Sequence, residues 1–224
     1  MIRAVIFDFD GTILDTETPI YKAWSRTYEQ HGQQLTIEEY SAAIGTDYSV
    51  FDPRGTLEQR IGRKLDWATL DTERRNYHLE LVVANEILPG VSNLMAEVKA
   101  RGLRCAVASS STTDWVESHL QRLGLRQYVD LIVCADPPRR PKPATDVYDH
   151  VLAELKIAAA EAVAIEDSPN GATAALRAGI ACIGVPNTMT SLFDFPAGIK
   201  RVSSLEGMSV DRLFTLGQSG AAVI

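Results

Sequence analysis

The sequence predicts an α/β fold: a doubly wound parallel sheet with a Rossmann-like core and a helical cap domain inserted near its start. Three observations carry this expectation. Short apolar runs rich in β-branched residues alternate with amphipathic stretches over most of the chain, and glycine repeatedly follows the amphipathic stretches. Between residues 16 and 87 the strand-like runs stop, while helix-like segments follow one another. Residues 1–15 and 88–224 are therefore assigned to the core, and residues 16–87 to the cap.

The first run, Arg3 to Phe9, breaks off at Asp10-Gly11, as expected of a parallel strand buried on both faces. In the cap stretch, Tyr21, Trp24 and Tyr28 share one helical face and Ile37, Tyr40 and Ile44 another. Leu57, Ile61 and Leu65 form a third, and Leu70, Arg74, Tyr77 and Leu81 a fourth. Leu88-Pro89-Gly90-Val91 reads as the turn back to the core. There, Val91, Leu94, Met95 and Val98 define a helix stopping at Gly102, and Val116, Leu120 and Leu123 one stopping at Gly124. Val147, Val151, Leu152 and Leu155 define a third. The intervening strands are Cys105–Ala108, Leu131–Cys134, Ala162–Ile165 and Ala181–Val185. From Gly217 the small, unpatterned residues read as a frayed tail.

Composition narrows the functional classes. A formal charge of -7 and a pI near 5.1 argue against nucleic acid or an anionic membrane as partner, because both call for clustered positive potential. No apolar run reaches membrane-spanning length and no cleavable leader is recognisable, so a cytoplasmic location is expected. Cys105, Cys134 and Cys182 lie far apart among Val, Ile and Ala, as reduced core thiols do. His31, His78, His119 and His150 fall in helix-like stretches without a ligand spacing.

Chemistry is concentrated at the strand ends. Asp8-Phe9-Asp10-Gly11-Thr12 places two carboxylates at the mouth of the sheet, where open α/β folds bind ligands. A polar turn and a calcium loop are alternatives, although a calcium loop requires a third acid and polar spacing, and here Phe9 and Thr12 intervene. Ser109 ends a later strand and offers a hydroxyl and an N–H to an anion, or caps a helix. Lys142, between Pro141 and Pro143, is either an aimed ammonium or an exposed loop lysine. Glu166-Asp167 precedes Ser168-Pro169-Asn170-Gly171, where Asp167 or Ser168 can also cap a helix. Taken together, Asp8, Asp10, Glu166 and Asp167 converge at neighbouring strand ends and repel one another unless a cation or proton intervenes. An oxygen-only set favours a hard cation, Mg²⁺ first; that ion would also neutralise a substrate phosphate, and Lys142 and Ser109 would hold its remaining oxygens. Gly11 and Ser110 join them as expected substrate contacts.

The four segments in this order resemble the haloacid dehalogenase superfamily, in the branch with a helical cap after the first motif that includes sugar-phosphate phosphatases and β-phosphoglucomutase. The resemblance spans nearly the whole chain; Thr145 departs from it in Lys142-Pro143-Ala144-Thr145-Asp146, where this branch often has proline. It implies that Asp8 attacks phosphorus while Asp10 protonates the leaving oxygen and then activates water. It also implies metal contacts from the Asp8 carboxylate, the Asp10 backbone carbonyl and Asp167, with Glu166 direct or through water. The substrate expected is a small phosphorylated metabolite, a sugar phosphate first. A phosphomutase and a catalytically silent binding protein are the alternatives. Ile20 stands where the mutase carries a sugar-selecting histidine, and every motif position that silent relatives lose is filled. The presence of Asp10 argues against a dehalogenase. Cap closure is expected about Asp15-Thr16-Glu17 and Ile87-Leu88-Pro89-Gly90. Gly45, Thr46, Asp47 and Arg54 are candidates for touching substrate, with an ordinary interhelix loop as the alternative.

Overall fold

The computed structural model describes residues 1–41 and 50–220. In chain order its strands and α-helices are β1 (Ala4–Phe7), α1 (Glu17–Glu29), α2 (Ile37–Ser41), α3 (Pro53–Ile61), α4 (Trp67–Ala84), α5 (Val91–Ala100), β2 (Arg104–Ser109), α6 (Thr113–Arg122), β3 (Leu131–Cys134), α7 (Asp146–Leu155), β4 (Ala162–Glu166), α8 (Pro169–Arg177), β5 (Ala181–Gly184), β6 (Lys200–Arg201) and α9 (Val210–Gly220). Two compact units result: Met1–Leu14 with Glu86–Asn187 and Phe193–Ile224, and Asp15–Asn85 with Thr188–Leu192.

The first unit is the predicted doubly wound sheet, wholly parallel, in the order β3-β2-β1-β4-β5-β6. β1 is central, so both its faces are covered and Ala4, Val5, Ile6 and Phe7 are all fully buried. That explains its continuous apolar run. In register, Phe7 lies beside Val107 of β2 and Ile165 of β4. The chain builds outward from β1 to β2 and β3, then returns to place β4 on the other side of β1. The strand order therefore reverses between β1 and β4, which is where open sheets of this kind bind ligands.

Two elements escaped the sequence reading. β6 is two exposed, charged residues at the sheet edge, with no apolar signal to announce it. Of the expected tail from Gly217, residues 217–220 are instead the end of α9, anchored by buried Val210 and Leu213, and residues 221–224 lie outside the described ones. Gly217 is small because the helix lies close on the sheet: a Cβ there would stand 3.2 Å from Val163 Cγ2.

The second unit is helical throughout α1–α4. Trp24, Tyr28, Leu35, Tyr40, Leu57 and Met189 form its core, with Tyr21, Ile37, Ile61 and Leu65 partly buried against it. The first three predicted faces therefore point inward among the described residues; Ile44 lies outside them, as do Gly45, Thr46 and Asp47. The fourth face is shifted, with Leu70, Arg74, Tyr77 and Leu81 only half-buried while Asp71 and Val82 are buried. Asp71 is tolerated there because Arg54 (2.5 Å) and Arg74 (3.3 Å) pair with it. No helix among the described residues is long and apolar enough to cross a membrane.

Candidate active site

Because β1, β2 and β4 run parallel and end within two residues of one another in register, their last and next residues share the carboxyl edge of the sheet. Asp8 follows Phe7 and is anchored by donating its backbone N–H to the Ile165 carbonyl at 2.9 Å. The chain then turns sharply, with Gly11 N–H donating to the Leu14 carbonyl at 2.7 Å. Gly11 has φ +85°, and a Cβ there would overlap the Asp167 carboxylate. The glycine thus serves both the turn and the approach of an acid from β4.

Lys142 reaches this edge despite coming from a proline-flanked loop. Its ammonium lies 2.6 Å from Asp8 Oδ1 and 2.7 Å from Glu166 Oε1, and it donates to the Ala108 carbonyl at 2.7 Å. The side chain is 4% exposed, which excludes the exposed-lysine alternative. Ser110 contributes to this aim by accepting the Lys142 backbone N–H at 3.1 Å. The Tyr148 hydroxyl donates to Glu166 Oε1. Asn187, just past β5, donates to Asp167 Oδ2 at 2.8 Å.

One ligand atom from each of Asp8, Glu166 and Asp167 lies within 4.8 Å of those from the other two, and all three residues are buried. Asp8 Oδ2 and Glu166 Oε2 are buried without a hydrogen-bond partner among the described residues. Burial pushes the Asp8 carboxyl up to about 8; Glu166 and Asp10 add to the rise, and Lys142 opposes it without cancelling it. For Lys142, burial disfavours the charge, but Asp8 and Glu166 outweigh it and hold the ammonium above its ordinary range. Buried acids in excess of their cation, two with a bare oxygen, are the arrangement that a hard divalent cation satisfies.

The fourth predicted acid faces elsewhere. Asp10 accepts from Ser109 Oγ at 3.2 Å and Ser111 Oγ at 2.7 Å on Oδ2, and from Trp115 Nε1 at 3.0 Å on Oδ1. Its side chain therefore belongs to the β2 side of the edge, with the fully buried Ser109. The capping alternatives resolve in the same region: Thr112, not Ser109, caps α6, and Ser168, not Asp167, caps α8. A Cβ at Gly171, in the first turn of α8, would overlap the Glu166 carboxylate.

Ser111, Trp115, Tyr148 and Asn187 were not singled out from the sequence. Asn187 continues the rule that polar residues follow strand ends, so that signal was present. Trp115 and Tyr148 looked like ordinary helix residues, since nothing in their spacing shows that an N–H or O–H points at an acid. Among the histidines, His119 is buried edge-on against Trp115, with ring centroids 4.3 Å apart. All three cysteines are buried and free.

Comparison with known proteins identifies the family. The chain is 38% identical over 210 residues to YhcW of Bacillus subtilis, a protein named as a phosphatase, covering 94% of this chain and 95% of that one. It is 30% identical over 181 residues to the phosphorylated carbohydrates phosphatase of Thermotoga maritima, covering 80% and 82%. The crystal structure of CbbY from Rhodobacter sphaeroides in complex with phosphate superposes with a TM-score of 0.72 at 30% identity, over 96% of this chain and 100% of that one. The model of the haloacid dehalogenase-like hydrolases matches residues 5–185. With a match over most of its length, the chain belongs to the haloacid dehalogenase-like hydrolase family.

Proposed function

We propose that this protein is a Mg²⁺-dependent phosphatase that releases phosphate from a small phosphorylated sugar through an aspartyl-phosphate on Asp8. The observation that carries the reading is the Asp8 carboxylate itself, tied by Oδ1 to Lys142 while buried Oδ2 has no hydrogen-bond partner among the described residues. An oxygen so placed can bind a cation or attack phosphorus. The sugar reading rests on the Thermotoga maritima relative, whose name gives phosphorylated carbohydrates as its substrates.

Asp8, Glu166 and Asp167, with the Asp10 backbone carbonyl, would hold the Mg²⁺; the bare oxygens of Asp8 and Glu166 and the clustering of three acids fit a hard dication. When bound, the ion supplies positive charge to the acids and to the substrate phosphate. Lys142 neutralises charge on the phosphoryl oxygens, and the Ser109 hydroxyl and the Ser110 backbone orient them; the expected Gly11 contact falls away, because its N–H is given to the Leu14 carbonyl at 2.7 Å. Asp8 attacks phosphorus. Asp10 gives its proton to the departing sugar oxygen, then accepts one from the water that attacks the aspartyl-phosphate. Residues 16–87 serve in this reading as the cap that closes over the site and selects the sugar, with Arg54 as a candidate contact.

Phosphate release from a panel of hexose, pentulose and triose phosphates, with Mg²⁺ and with excess chelator, tests the reading. Turnover of at least one sugar phosphate, abolished by chelator and restored by Mg²⁺, is expected. Full activity in chelator would overturn the metal assignment. Isomerisation of a hexose 1-phosphate without net phosphate release would replace hydrolysis with mutase chemistry. Trapping with beryllium fluoride should fail in Asp8→Asn but survive in Asp10→Asn.

A further inference from the structure

We propose that Trp115 is a positioning residue for Asp10: its indole N–H fixes one carboxylate oxygen, so that proton transfer takes place at the other. This rests on the reading of Asp10 as the proton donor and acceptor. The contact is Trp115 Nε1 to Asp10 Oδ1 at 3.0 Å, while Oδ2 faces the hydroxyls of Ser111 at 2.7 Å and Ser109 at 3.2 Å.

The two kinds of donor are chemically unequal. An indole N–H can only donate, whereas a serine hydroxyl can turn and accept. A proton on Oδ2 is accommodated when Ser109 or Ser111 rotates its hydroxyl hydrogen away. A proton on Oδ1 instead weakens the acceptor that Trp115 requires. The cradle thus makes Oδ1 the fixed carbonyl-like oxygen and Oδ2 the site of the exchangeable proton. The proton leaves Oδ2 for the departing alcohol oxygen as the phosphorus–oxygen bond breaks, and returns there from the attacking water, so protons balance over one cycle.

The indole is itself held. Thr112 caps α6 and accepts the Trp115 backbone N–H at 3.4 Å, and the ring packs edge-on against buried His119. The first contact fixes the main chain that carries the ring, the second the ring itself, and neither uses the indole N–H. The sequence places Trp115 on the first turn of the helix after β2, so the strand that delivers Ser109 also delivers the residue that orients Asp10.

Trp115→Phe keeps an aromatic ring beside His119 and removes the donor together with the second ring of the indole. The test compares Mg²⁺-loaded parent, Trp115→Phe, Ser111→Ala and Asp10→Asn on phenyl phosphate, whose leaving group needs a proton, and on 2,4-dinitrophenyl phosphate, whose leaving group does not. Phenolate release in a single turnover isolates the first transfer. For Trp115→Phe we expect a loss of about tenfold or more with phenyl phosphate, part of the ~10²–10⁴ that general acid catalysis supplies. With the dinitrophenyl ester the loss should be less than about threefold, and KM should be unchanged. Ser111→Ala should lose in the same leaving-group-dependent sense.

An equal loss on both esters, or a change confined to KM, would mean that Trp115 only packs. Retention of full phenyl phosphate activity would also overturn the proposal. Asp10→Asn separates the two layers of inference. If it shows no leaving-group dependence, the assignment of Asp10 fails; if it does and Trp115→Phe does not, the positioning role alone fails. A melting temperature for each variant identifies one that has lost its fold, in which case Ser111→Ala decides.

Discussion

Gly171→Ala sets local helix preference against the acid cluster, and the structure gives the sign of each effect. Gly171 lies in the first turn of α8, where alanine is the better helix former by about 1 kcal/mol. Its added Cβ, however, would overlap the Glu166 carboxylate, which is fully buried and cannot swing into solvent. Relief requires shifting either α8 or Glu166, at about 1–3 kcal/mol for overpacking. The net loss of stability is therefore modest, roughly 0–2 kcal/mol. The effect on Mg²⁺ should be larger, because a displaced Glu166 loses its place between Lys142 (2.7 Å) and Tyr148. Disturbance of such supporting contacts typically costs about 10–100-fold in metal affinity. Thermal melts without metal and calorimetric Mg²⁺ titrations measure the two quantities separately. Shortening the acid in Gly171→Ala/Glu166→Asp should recover stability of about 1 kcal/mol over the single variant by vacating the overlapped space. Parent-like Mg²⁺ affinity in Gly171→Ala, with stability at or above the parent's, would refute the reasoning.

Lys142→Met keeps an apolar stem beside Tyr148 and removes the cation that pairs with Glu166 and hydrogen-bonds Asp8; without metal it should destabilise by about 3 kcal/mol in denaturant melts, and turnover should fall at least about 100-fold. Without metal the Asp8 carboxyl stands raised to about 8, so it is largely protonated at neutral pH, whereas a bound cation requires it ionised. Mg²⁺ binding should consequently release close to one proton at neutral pH, and its apparent affinity should weaken by about tenfold per unit as pH falls below that value, as titrations in buffers of different ionisation enthalpy will reveal. Asp167→Asn should weaken Mg²⁺ affinity and activity together, while Glu166→Gln should do so more mildly if its contact runs through water; comparing Kd with kcat for each checks this. Tyr148→Phe should lower Mg²⁺ affinity without abolishing phosphoenzyme trapping on Asp8, read by rapid acid quench and peptide mapping.

The site was legible where its chemistry is a property of residue type at a strand end, and hidden where it depends on which way a helix residue points. Asp8, Ser109 and Glu166 each follow or close an apolar run, and parallel register alone brings such positions to one edge. Gly11 and Gly171 follow acids in the same motifs, and each leaves room that a Cβ would take from Asp167 and Glu166 respectively. Trp115 and Tyr148 come from α6 and α7, where a period of 3.6 distributes side chains by angle, and a bulky aromatic, half-buried in the first case and in the core in the second, hides its one polar atom. The same limit explains α9: Val210 and Leu213 carry a helical spacing, but Gly217 is informative only once Val163 is known to lie beneath it. A parallel sheet thus displays its catalytic edge in the sequence because strand ends are punctuated by Gly, Ser and acids. The helices that refine that edge reveal their part only through packing. Orientation of Asp10, rather than its presence, is therefore the feature of this site that required coordinates, because its carboxylate is held by two serine hydroxyls and the indole N–H of a half-buried tryptophan that no spacing in the sequence ties to it.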